Sequence, residues 1–158
     1  MNNTQSVPTE MLKFHSHFAG LSEYHLKQIA NLSHRVAFEA GEELFVEGMF
    51  ATNFCILVSG EVNIVYQLGD GQSVEADTLI AGDSFCWSAF LEPHHLTATC
   101  VSNKKGEYIG IGGEGLRKFC NENPSSGHRL ALEISKLLRD RLSALRVQIA
   151  ATQTNVSV

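Results

Sequence analysis

Hydrophobic and polar positions alternate in short runs through the middle of the chain, whereas at both ends the hydrophobic positions recur every three or four residues. Alternation is typical of half-buried strands, and the wider spacing is typical of one face of a helix. Turn dipeptides separate the runs between residues 34 and 111: Ala40-Gly41, Ser59-Gly60, Asp70-Gly71 and Gly82-Asp83. Turns at this frequency predict about eight short strands in a sandwich or jelly roll rather than a parallel sheet.

Helices are predicted on both sides of the strand region. Residues 11–32 divide at Gly20 into two short helical segments. Ser22 is a suitable N-cap for the second segment, because its hydroxyl can accept a hydrogen bond from a free backbone amide. A further short helix is predicted after the strands, at 114–122. The predicted domain is therefore mainly β with flanking α-helices.

A long helix is predicted at 124–150, starting with Pro124, a residue favoured at the first helical position. One of its faces has the spacing of a coiled-coil seam and contains Ala131, Ser135, Leu138, Leu142, Leu145 and Ile149. An adjoining apolar face can pack on the strand region and contains Leu130, Ile134 and Leu137. Two apolar faces indicate two partners, so we predict a homodimer whose interface contains Leu138, Leu142, Leu145 and Ile149. One wide stripe packed only within the monomer is the alternative.

Composition and charge are those of one ordinary globular domain, with 158 residues, 44% of them hydrophobic and 18% charged. The formal net charge of −5 argues against general nucleic-acid binding. Basic residues of the long helix alternate with acidic ones, as in a solvated flank, and are Lys136, Arg139, Arg141 and Arg146. The chain has neither an eighteen-residue apolar run nor an N-terminal export pattern, so we expect no membrane span and a cytoplasmic location. We expect a flexible N-terminus at 1–10, the domain at 11–150 with its strands at about 34–111, and a tail at 151–158.

The residues also restrict the chemistry that we expect. The four cysteines are widely spaced, and without an export pattern we interpret them as reduced thiols in or near the core: Cys55, Cys86, Cys100 and Cys120. The strand segments 53–65 and 96–102 contain no histidine, unlike the metal sites of jelly-roll enzymes. No Ser-His-Asp set and no pair of carboxylates can be placed in one cleft. We therefore expect no enzymatic activity, no metal and no cofactor.

A known family shares this arrangement and its glycines. Residues 38–64, FEAGEELFVEGMFATNFCILVSGEVNI, have Gly41, Glu47-Gly48 and Gly60 in turn positions. With the helices around it, the segment from about 14 to 150 resembles the cyclic nucleotide-binding domain of CRP/FNR-type bacterial regulators, of cyclic nucleotide-gated channels and of kinase regulatory subunits. The resemblance implies a double-stranded β-helix, or jelly roll, with N-terminal helices and a long C-terminal dimerisation helix.

The resemblance also identifies residues 81–100, AGDSFCWSAFLEPHHLTATC, as the phosphate-binding cassette of that family. The family pattern is F-G-E-x-A-L-L, a short loop, and P-R-x-A-T-V. There, helix amides and the Arg hold the cyclic phosphate, and the Glu accepts a hydrogen bond from the ribose hydroxyl. The apolar positions match at Phe85, Ala89, Phe90, Leu91 and Ala98-Thr99. The three chemical positions differ, with Cys86 for Gly, Trp87 for Glu and Leu96 for Arg.

These differences predict weak binding of cyclic nucleotides. Losing both charged contacts weakens binding by at least two decades, at about 1.5–3 kcal/mol for each charged hydrogen bond. The candidate ligand-binding residues of the cassette are Phe85, Cys86, Trp87, Ser88, Ala89, Leu96, Thr97 and Thr99. Trp87 is the only tryptophan, and it either fills the pocket or stacks on a flat ligand. His94 and His95 are candidate anion contacts, or a solvated loop tip.

Three functions follow from this interpretation. The leading one is a regulatory module that senses a small-molecule effector and signals through its dimer helix. The second is a dimeric interaction scaffold with its pocket plugged by Trp87 and Leu96. The third is a true cyclic-nucleotide receptor whose clamp is completed by His95 or across the dimer. We expect no direct DNA binding from this chain, because eight residues after Ala150 leave no room for a helix-turn-helix, whether the chain is complete or a piece of a longer one.

Overall fold

The computed structural model describes residues 6–154 of the chain. Two helices come first, α1 (Thr9–Lys13) and α2 (Glu23–Asn31). Six strands follow: β1 (Ser33–Phe38), β2 (Glu43–Phe45), β3 (Asn53–Gln67), β4 (Ser73–Leu79), β5 (Ser84–Phe85) and β6 (Thr99–Gly112). A short 3-10 helix (Trp87–Ala89) lies between β5 and β6, and the described chain ends with α3 (Gly113–Glu122) and α4 (Pro124–Thr154). The predicted fold, a mainly β domain with flanking helices and a long C-terminal helix, is confirmed.

The strands form one antiparallel sheet in the order β1-β6-β3-β4, with β2 added to β6 and β5 added to β3. Its centre is the pairing of the two long strands, in which Ile56 lies opposite Ile109. The same long strand β3 also pairs with β5, where Cys55 lies opposite Phe85. The start of the cassette segment (residues 81–100) is therefore fixed to the middle of the sheet.

The prediction of about eight short strands differs from the six strands of residues 6–154 at two glycines. At Gly60 the sequence predicts a turn, but β3 runs through it with register shifts on both sides. Gly60 has φ +85°, and a Cβ there would lie 2.7 Å from the Lys105 carbonyl oxygen. The strand therefore bends at a bulge without ending. The segments on either side of Gly106 likewise form the single strand β6.

The helix boundaries agree with the capping signals. Ser22 Oγ accepts a hydrogen bond from the His25 amide at 3.2 Å, which confirms the predicted N-cap. At the N-terminus, Val7 is already buried and α1 begins at Thr9, so the packed chain starts before the predicted boundary at residue 11. Helix α4 continues to Thr154, and the remainder of the predicted tail lies outside the described residues, as does the segment 1–5.

The two apolar faces of α4 have different surroundings. On the docking face, Leu130 and Ile134 are 3% and 2% exposed and belong to the core, where each such side chain contributes about 1.5–3 kcal/mol by burial. On the predicted seam, Leu142 and Ile149 are 56% and 58% exposed. Leu138 packs at the edge of the core. Helix α4 thus packs into the core on one side and exposes apolar residues on the other.

None of the helices within residues 6–154 combines the length and the apolar character needed to cross a membrane.

Candidate functional site

The cassette segment begins with an unusual backbone turn. Strand β5 ends at Phe85, and Cys86 then adopts the left-handed conformation, with φ 58° and ψ 38°, before the 3-10 helix Trp87–Ala89. This conformation costs a residue with a side chain about 1–2 kcal/mol and costs glycine almost nothing. Cys86 therefore occupies a backbone conformation that favours glycine.

Hydrogen bonds from neighbouring elements hold the cassette segment in place. From α3, Arg117 Nη1 donates to the carbonyl oxygen of Ala89. His94 Nδ1 donates to the Ser88 carbonyl oxygen at 2.7 Å, so this predicted anion contact instead closes the loop on itself. Leu96 pairs with the loop after β2, its amide donating to the Met49 carbonyl oxygen at 2.8 Å. The loop is fixed by the protein's own groups.

The cassette cavity, which we define by its lining, has a volume of about 20 Å³. It is lined by Ile64, Phe85, Cys86, Trp87, Ser88, Leu96, Thr97, Ala98 and Cys100. A volume of this size holds about one water molecule, far less than a nucleotide. None of these lining residues is charged, and Leu96, at the Arg position of the family pattern, is 7% exposed.

Most of the predicted site residues meet at this cavity, but some do not. Six of the eight cassette candidates line it, whereas Ala89 is buried behind the loop. Thr99 Oγ1 accepts a hydrogen bond from the Glu47 amide at 3.0 Å and so acts in the sheet. His95 Nδ1 donates to the Pro93 carbonyl oxygen at 3.0 Å, and neither His95 nor His94 is among the lining residues.

Two cysteines, Cys86 and Cys100, line the cassette cavity, and Cys55 lies beside Cys86. Cys86 follows Phe85, which pairs with Cys55 on β3, and Cys100 lines the same cavity from β6. The thiol of Cys86 forms hydrogen bonds with both of the others. The hydrogen bond to Cys86, followed by burial, raises the pKa of the Cys100 thiol well above its usual range. All four cysteines are free and buried.

Arg141, which the sequence places on a solvated flank of the long helix, lies beside the cassette. Its guanidinium carbon lies 5.5 Å from the centroid of the Trp87 ring, within cation–π range. Its Nη1 forms an ion pair with Asp77 on β4. Its side chain is 16% exposed, so the prediction of a solvated flank fails at this position. The signal in the sequence is that Arg141 comes seven residues after Ile134 and so lies on the docking face of α4.

A second small cavity, the junction cavity, separates α4 from the sheet. Its volume is about 30 Å³, and it is lined by Ile64, Tyr66, Ala76, Asp77, Trp87, Arg141, Ala144, Leu145 and Gln148. Ile64 and Trp87 line both this cavity and the cassette cavity. The indole of Trp87 therefore stands between an apolar chamber and a chamber that contains a guanidinium.

On another side of α4, two histidines join the N-terminal segment to the start of β5. His17 Nε2 and Ser84 Oγ share a buried hydrogen bond of 2.8 Å, and His15 Nε2 donates to the Gly82 carbonyl oxygen at 3.0 Å. Burial, and then the neighbouring His15, lowers the pKa of His17 to about 4, so its ring is neutral at pH 7. These groups line a cavity of about 280 Å³ under α4. They fix the position of the N-terminal segment against the cassette strand.

Sequence comparison gives the family. The profile described as cyclic nucleotide-binding domain matches residues 35–123, which is more than half of the chain. The chain belongs to the cyclic nucleotide-binding domain family. Domains of this family are typically regulatory and non-catalytic. No curated protein matches the sequence.

Solved structures of the family's fold resemble the chain over most of its length. A Methylobacillus flagellatus cyclic nucleotide-binding domain superimposes with a TM-score of 0.80 at 14% identity, over 96% of this chain and 88% of that one. A Geobacter metallireducens protein described as cyclic nucleotide-binding gives 0.76 at 27% identity, over 86% and 98%. The sensor domain of the transcriptional regulator DNR from Pseudomonas aeruginosa gives 0.72 at 21% identity, over 85% and 91%. The two matches below 25% identity are evidence for the shared fold alone.

Proposed function

We propose that this chain is an effector-sensing regulatory module whose cassette does not bind cyclic nucleotides through the family's Arg and Glu contacts. The observation that carries the proposal is the cassette cavity, which has a volume of about 20 Å³ and no charged lining residue. Leu96, which the resemblance places at the position of the phosphate-binding Arg, has a buried apolar side chain. A cyclic phosphate in this cavity would lose its hydration without gaining a cation, which costs several kcal/mol.

The output element in this proposal is α4. Its docking face is buried in the core at Leu130 and Ile134, and its Arg141 lies against Trp87 of the cassette. The opposite face exposes Leu142 and Ile149, which are one heptad apart, as in a coiled-coil seam. This arrangement supports a homodimer in which a change at the cassette shifts the position of α4 and so reaches the partner copy.

A dimeric interaction scaffold is the second candidate, and one observation favours it. The cassette cavity is nearly filled by the protein's own side chains, among them Trp87 and Leu96. In a scaffold, no small molecule would alter the Trp87 environment, and α4 would act independently of the cassette. The two candidates therefore differ in whether an effector changes the position of α4.

The experiment that tests the proposal follows the fluorescence of Trp87, the single tryptophan, during titration with cAMP and cGMP from micromolar to millimolar concentration. AMP serves as the control ligand, and Trp87→Phe gives the background signal. We expect no saturable change at micromolar cyclic nucleotide. A saturable change at micromolar concentration would contradict the proposal, because it would require a phosphate clamp that this cavity lacks.

A gain-of-function variant tests whether the frame of the cassette is intact. Trp87→Glu combined with Leu96→Arg restores the two charged contacts of the family pattern. We expect calorimetry to show cAMP binding at least about a hundredfold tighter than in the wild type, since each charged hydrogen bond is worth about 1.5–3 kcal/mol. A folded double variant without this gain would mean that the loop does not present these side chains to a ligand.

A further inference from the structure

The junction cavity holds a guanidinium whose hydrogen-bonding capacity is only partly used. Arg141 Nε is buried and has no hydrogen-bond partner among the described residues. Its Nη1 is paired with Asp77, and its guanidinium carbon lies 5.5 Å from the centroid of the Trp87 ring. A buried donor without a partner costs about 1–3 kcal/mol. A charged group kept in this state is therefore available to a second acceptor.

The two members of the Arg141–Asp77 pair differ in their access to water. The side chain of Asp77 is 44% exposed, whereas that of Arg141 is 16% exposed. The carboxylate of Asp77 can therefore return to solvent at little cost when its partner is taken by another anion. The Arg141 guanidinium has no comparable access to water, because its side chain is mostly buried between α4 and the sheet. An anion of suitable shape would replace Asp77 rather than displace Arg141.

The position of Trp87 indicates what the rest of such a ligand would contact. Its indole separates the junction cavity from the apolar cassette cavity, and both cavities share Ile64 as well. A rotation of the indole would join the two chambers, with the guanidinium at one end and apolar side chains such as Leu96 at the other. The chemistry of this combination matches a planar anionic ligand, with its charge at Arg141 and its ring on Trp87, and the rotation of the indole would have to make room for it.

Building on the proposed function, we propose that Arg141 is the anion-binding residue of the effector site, that Asp77 occupies it in the absence of effector, and that the effector is a small planar organic anion carrying a carboxylate or phosphate. This assignment places the positive charge on α4, although the cassette loop itself contains none. Ligand binding would exchange the contact between α4 and β4 for a contact between α4 and the ligand. The same exchange would couple occupancy to the position of the output helix.

The test compares the affinities of defined aromatic anions in matched variants. Phenyl phosphate and benzoate are the probes, and benzyl alcohol is the neutral control. Binding is measured by calorimetry and by the NMR signal of the single indole N–H. Asp77→Asn removes the competing carboxylate, and we expect it to tighten probe binding about fivefold to tenfold, which corresponds to about 1 kcal/mol for a partly exposed ion pair. Glu75→Gln is the control, because Glu75 is an exposed residue of the same strand and the substitution changes the net charge by the same amount. It should leave the affinity for the probes unchanged.

Removing the guanidinium gives the second arm of the test. Asp77→Asn combined with Arg141→Gln should abolish the gain, and Arg141→Lys should recover only part of it, because lysine lacks the planar fork. Equal probe affinity in the wild type and Asp77→Asn, or a gain that survives Arg141→Gln, would overturn the proposal. Thermal unfolding of each variant shows whether the fold is retained. The outcome is independent of the cAMP titration, which tests the proposed function in the wild type alone.

Discussion

His17 Nε2 lies 2.8 Å from Ser84 Oγ, and both side chains are almost completely buried. This hydrogen bond joins the N-terminal segment to the strand that leads into the cassette. The second ring nitrogen of His17, Nδ1, has no hydrogen-bond partner among the described residues. A protonated ring at this position would therefore place in the core a charge that Glu133 offsets only in part, and the pKa of His17 is lowered to about 4, first by burial and then by His15.

The stability of the protein should fall as the pH is lowered from 7 to 5. The folded-state pKa of His17, about 4, is below the ordinary value of 6.5, so the unfolded chain binds this proton first. The stabilisation is complete above pH 6.5 and is lost as the pH falls towards 4. Linkage gives a loss of about 2 kcal/mol from this residue between pH 7 and pH 5.

Urea unfolding at several pH values measures this effect, with His17→Gln as the matched variant. The free energy of unfolding of the variant should depend less on pH, because the variant lacks the titration of His17. Some dependence should remain, because His15, whose pKa is also lowered by burial, is present in both proteins. Equal slopes in the two proteins would show that His17 titrates at its ordinary pKa in the folded state.

Cys86 should be a position where glycine stabilises the protein more than alanine does. Its φ of 58° is accessible to Gly at almost no cost, whereas a Cβ costs about 1 kcal/mol. Cys86→Gly and Cys86→Ala both remove the thiol, so the difference between them isolates the backbone. We expect Cys86→Gly to be more stable than Cys86→Ala by about 1 kcal/mol in urea unfolding.

The control for this comparison is Ser143, an exposed residue in α4. There, Ser143→Ala should be more stable than Ser143→Gly by about 1 kcal/mol, because glycine is unfavourable inside a helix. The order of Gly and Ala should therefore reverse between the two sites. The same order at both sites would contradict the left-handed conformation of Cys86.

The buried thiols should react slowly in the folded protein. Burial raises the pKa of Cys120 to about 11, and the pKa of Cys100 is raised further by its hydrogen bond to Cys86 and by burial. Since the thiolate is the reactive form, a pKa of about 11 lowers the reactive fraction about a hundredfold near pH 8. Iodoacetamide labelling followed by mass spectrometry measures this, with urea-unfolded protein as the control. Rapid labelling of Cys86 or Cys100 in the folded state would mean that the cassette opens readily.

The fold could be predicted from sequence because local signals carry most of it. The turn at Gly41, the cap at Ser22 and the apolar stripe through Leu130 and Ile134 each depend on residues close in the chain, and the structure contains all three. The prediction of a turn at Gly60 is wrong, because a glycine with positive φ also occurs at a bulge, and only the pairing of β3 with β6 distinguishes the two.

The site was less predictable, since its main contacts join distant parts of the chain. Arg141 meets Trp87 and Asp77 across more than fifty residues, and the two residues before it, Arg139 and Asp140, are solvated charges. The three adjacent thiols likewise depend on strand register, in which Cys55 lies opposite Phe85. The partner of a side chain across a sheet depends on which strands pair and in what register, and residue spacing alone does not predict either.

Leu142→Glu should separate the predicted dimer without unfolding the protomer. The Leu142 side chain is 56% exposed in the single chain, so a carboxylate there costs the protomer little, within about 0.5 kcal/mol. In a parallel seam the same change buries two like charges opposite each other, which strongly opposes association. Light scattering coupled to gel filtration should report a dimer for the wild type and a monomer for Leu142→Glu, with Ser143→Glu, on the outer side of α4, remaining dimeric. Ile149→Glu should repeat the effect of Leu142→Glu, and a wild-type protein that is monomeric at high micromolar concentration would contradict the predicted interface.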